Sequence, residues 1–115
     1  MQIFHIATAS DWHAALVSGR YATSTYGVTI EEEGFIHAST DEQVQATATR
    51  YYADLDEPLV VLVMDTDRLE VGGIPVLHED IGNGLVFPHL YAELPVTLVE
   101  DVRPASFDDS GRLQF

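Results

Sequence analysis

Three histidines interrupt apolar, strand-like runs of this chain. His5 stands in Phe4-His5-Ile6, His37 in Gly34-Phe35-Ile36-His37-Ala38-Ser39, and His89 in Phe87-Pro88-His89-Leu90-Tyr91. A fourth, His78, sits beside a carboxylate in Val76-Leu77-His78-Glu79. An imidazole among apolar residues must find a hydrogen-bond partner, because burying an unpaired polar group is unfavourable. It is also the side chain best matched to proton transfer near neutral pH. His5, His37, His89 and Glu79 are therefore the residues that could carry acid–base chemistry or hold a ligand. One histidine in a strand is more often structural than catalytic, so the weight falls on the three taken together. His13 follows Trp12 in a helical stretch and reads as a solvated surface residue, and His78 alternates with Glu79 and could face away from it.

Three histidines and a carboxylate also suit zinc or another divalent ion. No His-Glu-x-x-His string or other short ligand spacing accompanies them, so no metal is expected. The chain has no cysteine, which excludes a disulfide frame, a Cys zinc site and a thiol nucleophile. It has no Gly-x-Gly-x-x-Gly or P-loop string to cradle phosphate.

The elements that must position these residues follow from periodicity. Ile3 to Ile6 reads as a short strand. Ser10 is a good N-cap for a helix over 11–18, with Trp12, Ala15 and Leu16 on one face and Gly19 as its terminator. Residues 20–33 read as a long loop. Gly34 to Ser39 reads as a strand with Phe35, His37 and Ser39 on one side and Ile36 and Ala38 on the other. Thr40 to Gln43 has the form of a capping box, opening a helix to about Ala53 that buries Val44, Ala48 and Tyr51 or Tyr52. Leu59 to Met64 is apolar and largely β-branched, as a strand buried on both faces should be. Gly72-Gly73 marks a turn, Ile74 to His78 a strand, residues 81–88 a loop and Val96 to Val102 the last strand. Residues 104–115 read as a loosely held tail. The expected core is Trp12, Leu16, Val44, Ala48, Leu62 and Phe35 or Ile36. The order predicts one α+β domain over 1–115, with two main helices on a small, mainly antiparallel sheet.

Composition narrows the partners. The chain of 115 residues has 19 Asp and Glu against 5 basic residues, all arginine, for a net charge of -14. Such a surface repels phosphate backbones and anionic membranes. A small-molecule ligand is expected, with no nucleic acid and no membrane, and a protein partner stays open. The N-terminus has neither a basic segment nor a long apolar run, so no signal peptide is expected. The longest apolar run, Leu59 to Met64, is far too short to span a bilayer. A cytoplasmic location is expected.

The ordered strings Phe4-His5-Ile6-Ala7-Thr8, Trp12, GFIHAST and FPHLY resemble a family of small bacterial proteins, domain-of-unknown-function family 952, over nearly the whole chain. Ala92 stands where that pattern has glycine, and Ala38 where it often has cysteine. The family is grouped with ADP-ribosyltransferase-like folds, in which two short strands floor a nicotinamide cleft. The resemblance implies that His5 holds the position contacting the cofactor's ribose or phosphates. It implies that His37 with Ser39 holds the second strand position, and that Glu79 is the candidate for the catalytic carboxylate. His89 and Tyr91 of FPHLY join them as cofactor contacts. NAD is then the expected cofactor, for a transferase or glycohydrolase with His5, His37 and Glu79 in the catalytic roles. A non-catalytic module for a small ligand or a protein is the alternative that shares this cleft.

Overall fold

The computed structural model describes residues 1–115. Its elements run β1 (Gln2–Thr8), α1 (Ala9–Ser18), β2 (Arg20–Tyr21), β3 (Thr23–Thr25), β4 (Val28–Thr29), α2 (Ile30–Glu33), β5 (Ile36–His37) and α3 (Val44–Tyr51). They continue β6 (Leu59–Asp65), α4 (Thr66–Val71), β7 (Val76–Asp80), β8 (Val86–Leu90), β9 (Leu94–Pro95), a 3₁₀ turn at Val96–Leu98, β10 (Asp101–Phe107) and β11 (Leu113–Gln114). This is an α+β fold of four helices, of which α1 and α3 are the longest, and every strand pair is antiparallel. No helix is long and apolar enough to cross a membrane.

Two sheets matter for the site. The larger has the order β1-β6-β10-β11, and the smaller β5-β8-β7. β6 lies between β1 and β10 and buries both faces, as its unbroken apolar run predicts. On one face Leu62 and Met64 join Ile3, Ala7, Trp12, Ile36 and Leu90 in the main core. On the other, Val61 and Val63 pack with Phe4, Ile6 and the α3 residues Val44 and Ala48. The smaller sheet thus covers one side of the larger, and α3 covers the other.

β5 shows the alternation its sequence predicts. Ile36 and Ala38 point into the main core, while His37 turns the opposite way. Gly34, at φ 98°, ends α2 in the left-handed conformation and turns the chain directly into this strand. A bridge from Phe4 to Ser39 sets the end of this segment beside β1.

Several expectations are corrected. The first helix starts at Ala9 and is capped by Thr8, whose hydroxyl accepts from the Asp11 N–H, so Ser10 lies inside it. Its buried stripe is narrow, with Trp12 and Ala15 inward, and Leu16 is 53% exposed rather than core. Leu16→Ala should therefore cost less than about 1 kcal/mol in denaturant unfolding, and a loss of core size would contradict this placement. The stretch 20–33 is not a loop; it holds β2, β3, β4 and α2. The helix after Thr40 begins only at Val44, although the Gln43 side chain does accept from the Thr40 N–H. α4 follows β6 directly, capped by the Asp65 carboxylate. FPHLY is strand β8 as far as Leu90, so the expected loop ends before Val86.

The C-terminal end differs most. Residues 104–115 are not a loose tail: β10 pairs with β6 as far as Ala105, β11 pairs back onto β10, and Leu113 is buried in the core facing α3. Gln45 of α3 holds this end, accepting from the Leu113 N–H and donating to its carbonyl, each at 2.9 Å. No non-glycine residue adopts a positive φ, so Ala92 sits without strain where the resemblance places glycine.

Candidate functional site

The site is built on the face of the smaller sheet that turns away from the main core. Register sets Ile36 opposite Leu90 and His37 opposite His89 on β5 and β8, and Leu77 opposite His89 on β7 and β8. Glu79 is two residues on from Leu77, so it reaches His89 diagonally from the same face. Three strands thereby bring His37, His89 and Glu79 into one row.

Hydrogen bonds fix how the row is protonated. His89 Nδ1 lies 2.8 Å from Glu79 Oε1. The Tyr91 hydroxyl donates to the same oxygen, and this bond, with that from His89, holds the Glu79 carboxyl below its ordinary range. A carboxylate only accepts, so His89 carries a proton on Nδ1, and in its neutral form the ring offers the lone pair of Nε2. His37 Nδ1 lies 3.3 Å from that Nε2 and donates to it. This leaves Nε2 of His37 unprotonated and free for a ligand. Burial first, and then the neighbouring His89 and His5, push the His37 pKa down to about 4, so the ring is neutral near pH 7. Phe35 stacks on His89, with centroids 3.8 Å apart and planes 12° apart, and holds its orientation.

His37 lines two adjoining lobes of a cleft. The larger, about 220 Å³, is walled by Thr25, Glu33, Phe35, Arg50, Tyr51 and His89 among others. The smaller, about 90 Å³, is walled by Arg50, Tyr51, Ile81, Leu85 and Phe87 among others. Arg50 is the one cationic residue of either lobe, and its guanidinium lies 5.3 Å from the Tyr51 ring centre. The sequence marks these helical residues only faintly: Thr47, Arg50 and Tyr51 share an i, i+3, i+4 stripe. Glu33 is the last of three consecutive glutamates, and nothing local distinguishes it from the other two.

The remaining expected site residues sit elsewhere. His5 is only 3% exposed. Its Nδ1 meets the His37 carbonyl at 2.5 Å and its Nε2 meets the Tyr21 hydroxyl at 2.7 Å. The carbonyl must accept, so His5 donates from Nδ1 and accepts the Tyr21 proton on Nε2. Burial pushes its pKa down to about 4. With both nitrogens used inside the protein, His5 is a tie from β1 to β2 and β5, not an open cofactor contact. Ser39 is also buried, its hydroxyl paired with Thr47 at 2.9 Å. Glu79 lines neither lobe and acts on the cleft only through His89. Tyr91 is exposed and bonded to Glu79. His13 and His78 are exposed. The three candidate histidines thus form one connected series, but no single cavity takes all three. No group of three or more His, Asp or Glu side chains is arranged to hold a metal ion.

The family described as "Protein of unknown function (DUF952)" matches residues 6–102, and the chain belongs to that family. Among solved structures, the crystal structure of protein CC0527 from Caulobacter crescentus is similar, at 32% identity and TM-score 0.83, covering 99% of this chain and 94% of that one. The solution NMR structure of the same Caulobacter protein aligns at 31% identity and TM-score 0.77, covering 96% and 90%. No curated protein matches the chain.

Proposed function

We propose that the cleft around His37 binds a small anionic ligand with an aromatic ring, of the NAD or ADP-ribose class, and that His37 is its general base. The observation that carries this reading is the chain Tyr91–Glu79–His89–His37, which leaves one imidazole nitrogen free on an aromatic-walled cleft. Such a series fixes both ring orientation and tautomer, as a base needs before it can take a proton. Phe35, Tyr51 and Phe87 offer faces for a ring, and the Arg50 guanidinium offers a planar fork for a phosphate. The adjacency of the two motif strands, β1 and β5, is in keeping with the ADP-ribosyltransferase-like grouping that the resemblance implies.

In this reading the roles shift from those the motifs suggest. Glu33, on the wall of the larger lobe, is the carboxylate placed to stabilise positive charge developing on a ribosyl carbon. Glu79 is a positioning residue that keeps the His89 proton on Nδ1. His5 positions the β5 backbone beneath His37.

Titration calorimetry with NAD, at low and high ionic strength, tests the proposal. Wild type should bind, and His37→Ala and Arg50→Ala should each weaken binding by about tenfold or more, roughly 1.4 kcal/mol. The net charge of -14 opposes the ligand's diphosphate over distances that salt screens, so affinity should rise with ionic strength. Absence of heat and of chemical-shift change at millimolar NAD in both salts would refute it. Binding without nicotinamide release over hours would assign the cleft to a binding module.

A further inference from the structure

Behind His37 the cleft gives way to a chamber of about 10 Å³ with a mixed lining, in which Phe4 and Ile6 stand beside the polar His5, Ser24, Ser39 and Thr47. That volume suits about one water molecule. Ser24, in the middle of β3, is 1% exposed, and its Oγ is the one buried side-chain polar atom with no hydrogen-bond partner in the protein. A hydroxyl in that position costs stability unless something in the chamber meets it. Ser39 and Thr47, on the wall of the same chamber, offer a second partner. Their hydroxyls bond each other at 2.9 Å, which uses one of their two O–H hydrogens and leaves the other to donate. A water taking that hydrogen and bonding Ser24 gains the partners a buried water requires. Thr25, His37 and Tyr51 wall both the chamber and the larger lobe of the cleft, so the two spaces meet at the candidate base.

We propose that this chamber is a water site, and that its water is the nucleophile for a ligand in the cleft, making the chemistry hydrolysis. The second half rests on the ligand reading above. For an NAD-type ligand, the water oxygen forms a bond to the anomeric ribose carbon. The bond from that carbon to nicotinamide breaks, its electron pair staying on the ring nitrogen and neutralising the pyridinium charge. One water proton passes to His37 Nε2 and then to solvent. The products are nicotinamide, ADP-ribose and a proton, with no further reactant.

Ser24→Val tests both halves, because it replaces a hydroxyl without a protein partner and fills the chamber with a methyl group. High-resolution crystal structures of wild type and variant should show an ordered water on Ser24 Oγ in the first and none in the second. NAD affinity should be unchanged, while nicotinamide release should fall about tenfold or more. If the valine variant fails to fold, Ser24→Ala, which removes only the hydroxyl, should give the same direction of change. A dry chamber in wild type overturns the water site, and an unchanged release rate in a folded variant overturns the nucleophile. Failure of the ligand reading looks different: wild type binds no NAD, hydrolysis falls with it, and the electron density alone still decides the water site.

Discussion

Acidification from pH 7 to pH 4 should strip the fold of about 3 kcal/mol through His5, with a smaller loss through the partly solvated His37. Both rings are held down to about 4, principally by burial, whereas an unfolded chain takes up these protons near the ordinary value of 6.5. Between those values the unfolded state binds more protons than the folded one, so stability rises with pH across the window. The contribution is fully present above about 6.5 and is lost as pH falls through about 4. The carboxyls held low, Asp65, Glu79 and Asp108, release their share only in stronger acid, which leaves pH 6.5 to 5 as a histidine window. Urea unfolding at several pH values reads the slope. His5→Gln offers a neutral amide to the His37 carbonyl and cannot titrate in this range, so it should flatten the slope. A flat wild-type profile, or an equal slope in the variant, would show that His5 does not govern the acid response.

The parts of this structure that were readable in the sequence have patterns longer than their noise. Leu59 to Met64 is an unbroken apolar run, and β6 does bury both faces. GFIHAST alternates cleanly enough to put Ile36 and Ala38 in the core and His37 on the far side. β2, β3 and β4 are two or three residues long, too short to display a period of two. Two local signals were legible and were missed. Thr29-Ile30-Glu31-Glu32 is a capping box, and it does cap α2. Asp65 reads as the end of a strand but also caps α4. Pro104 resembles a terminator. In the fold its missing N–H falls beyond the reach of β11, which pairs only with Ser106 and Phe107, and there a strand tolerates proline.

The site divides in the same way. Histidine in an apolar run announced that each ring needs a partner, and each has one. What the sequence does not encode locally is which partner. The Glu79–His89 bond needs the β7–β8 hairpin register, and the His37–His89 bond needs β5 to dock beside β8. His5 and His37 carry similar motifs, yet one is consumed by Tyr21 and a carbonyl while the other keeps a nitrogen free. Arg50 and Tyr51 belong to α3, which packs on the larger sheet, and only tertiary packing brings them over the β5 histidine.

That dependence of the site on the central sheet makes Leu62→Ala the most informative core substitution. Leu62 is fully buried at the middle of β6, and its pairing partner across the ladder is His5. Truncation should cost about 2–5 kcal/mol, from lost transfer energy plus the cavity left where neighbouring strands cannot collapse. A large part of the stability of so small a domain is then gone. The substitution also loosens the wall against which His5 holds Tyr21 and the His37 carbonyl. The local effect should appear before global unfolding, as faster amide exchange at His37 and Ala38 than at Val44 and Ala48 on the opposite face of the sheet. Denaturant unfolding gives the first number and hydrogen exchange the second. A cost below about 1 kcal/mol would remove β6 from the centre of the fold. A full cost with uniform exchange would keep β6 central but break the link between the core and the His5 tie.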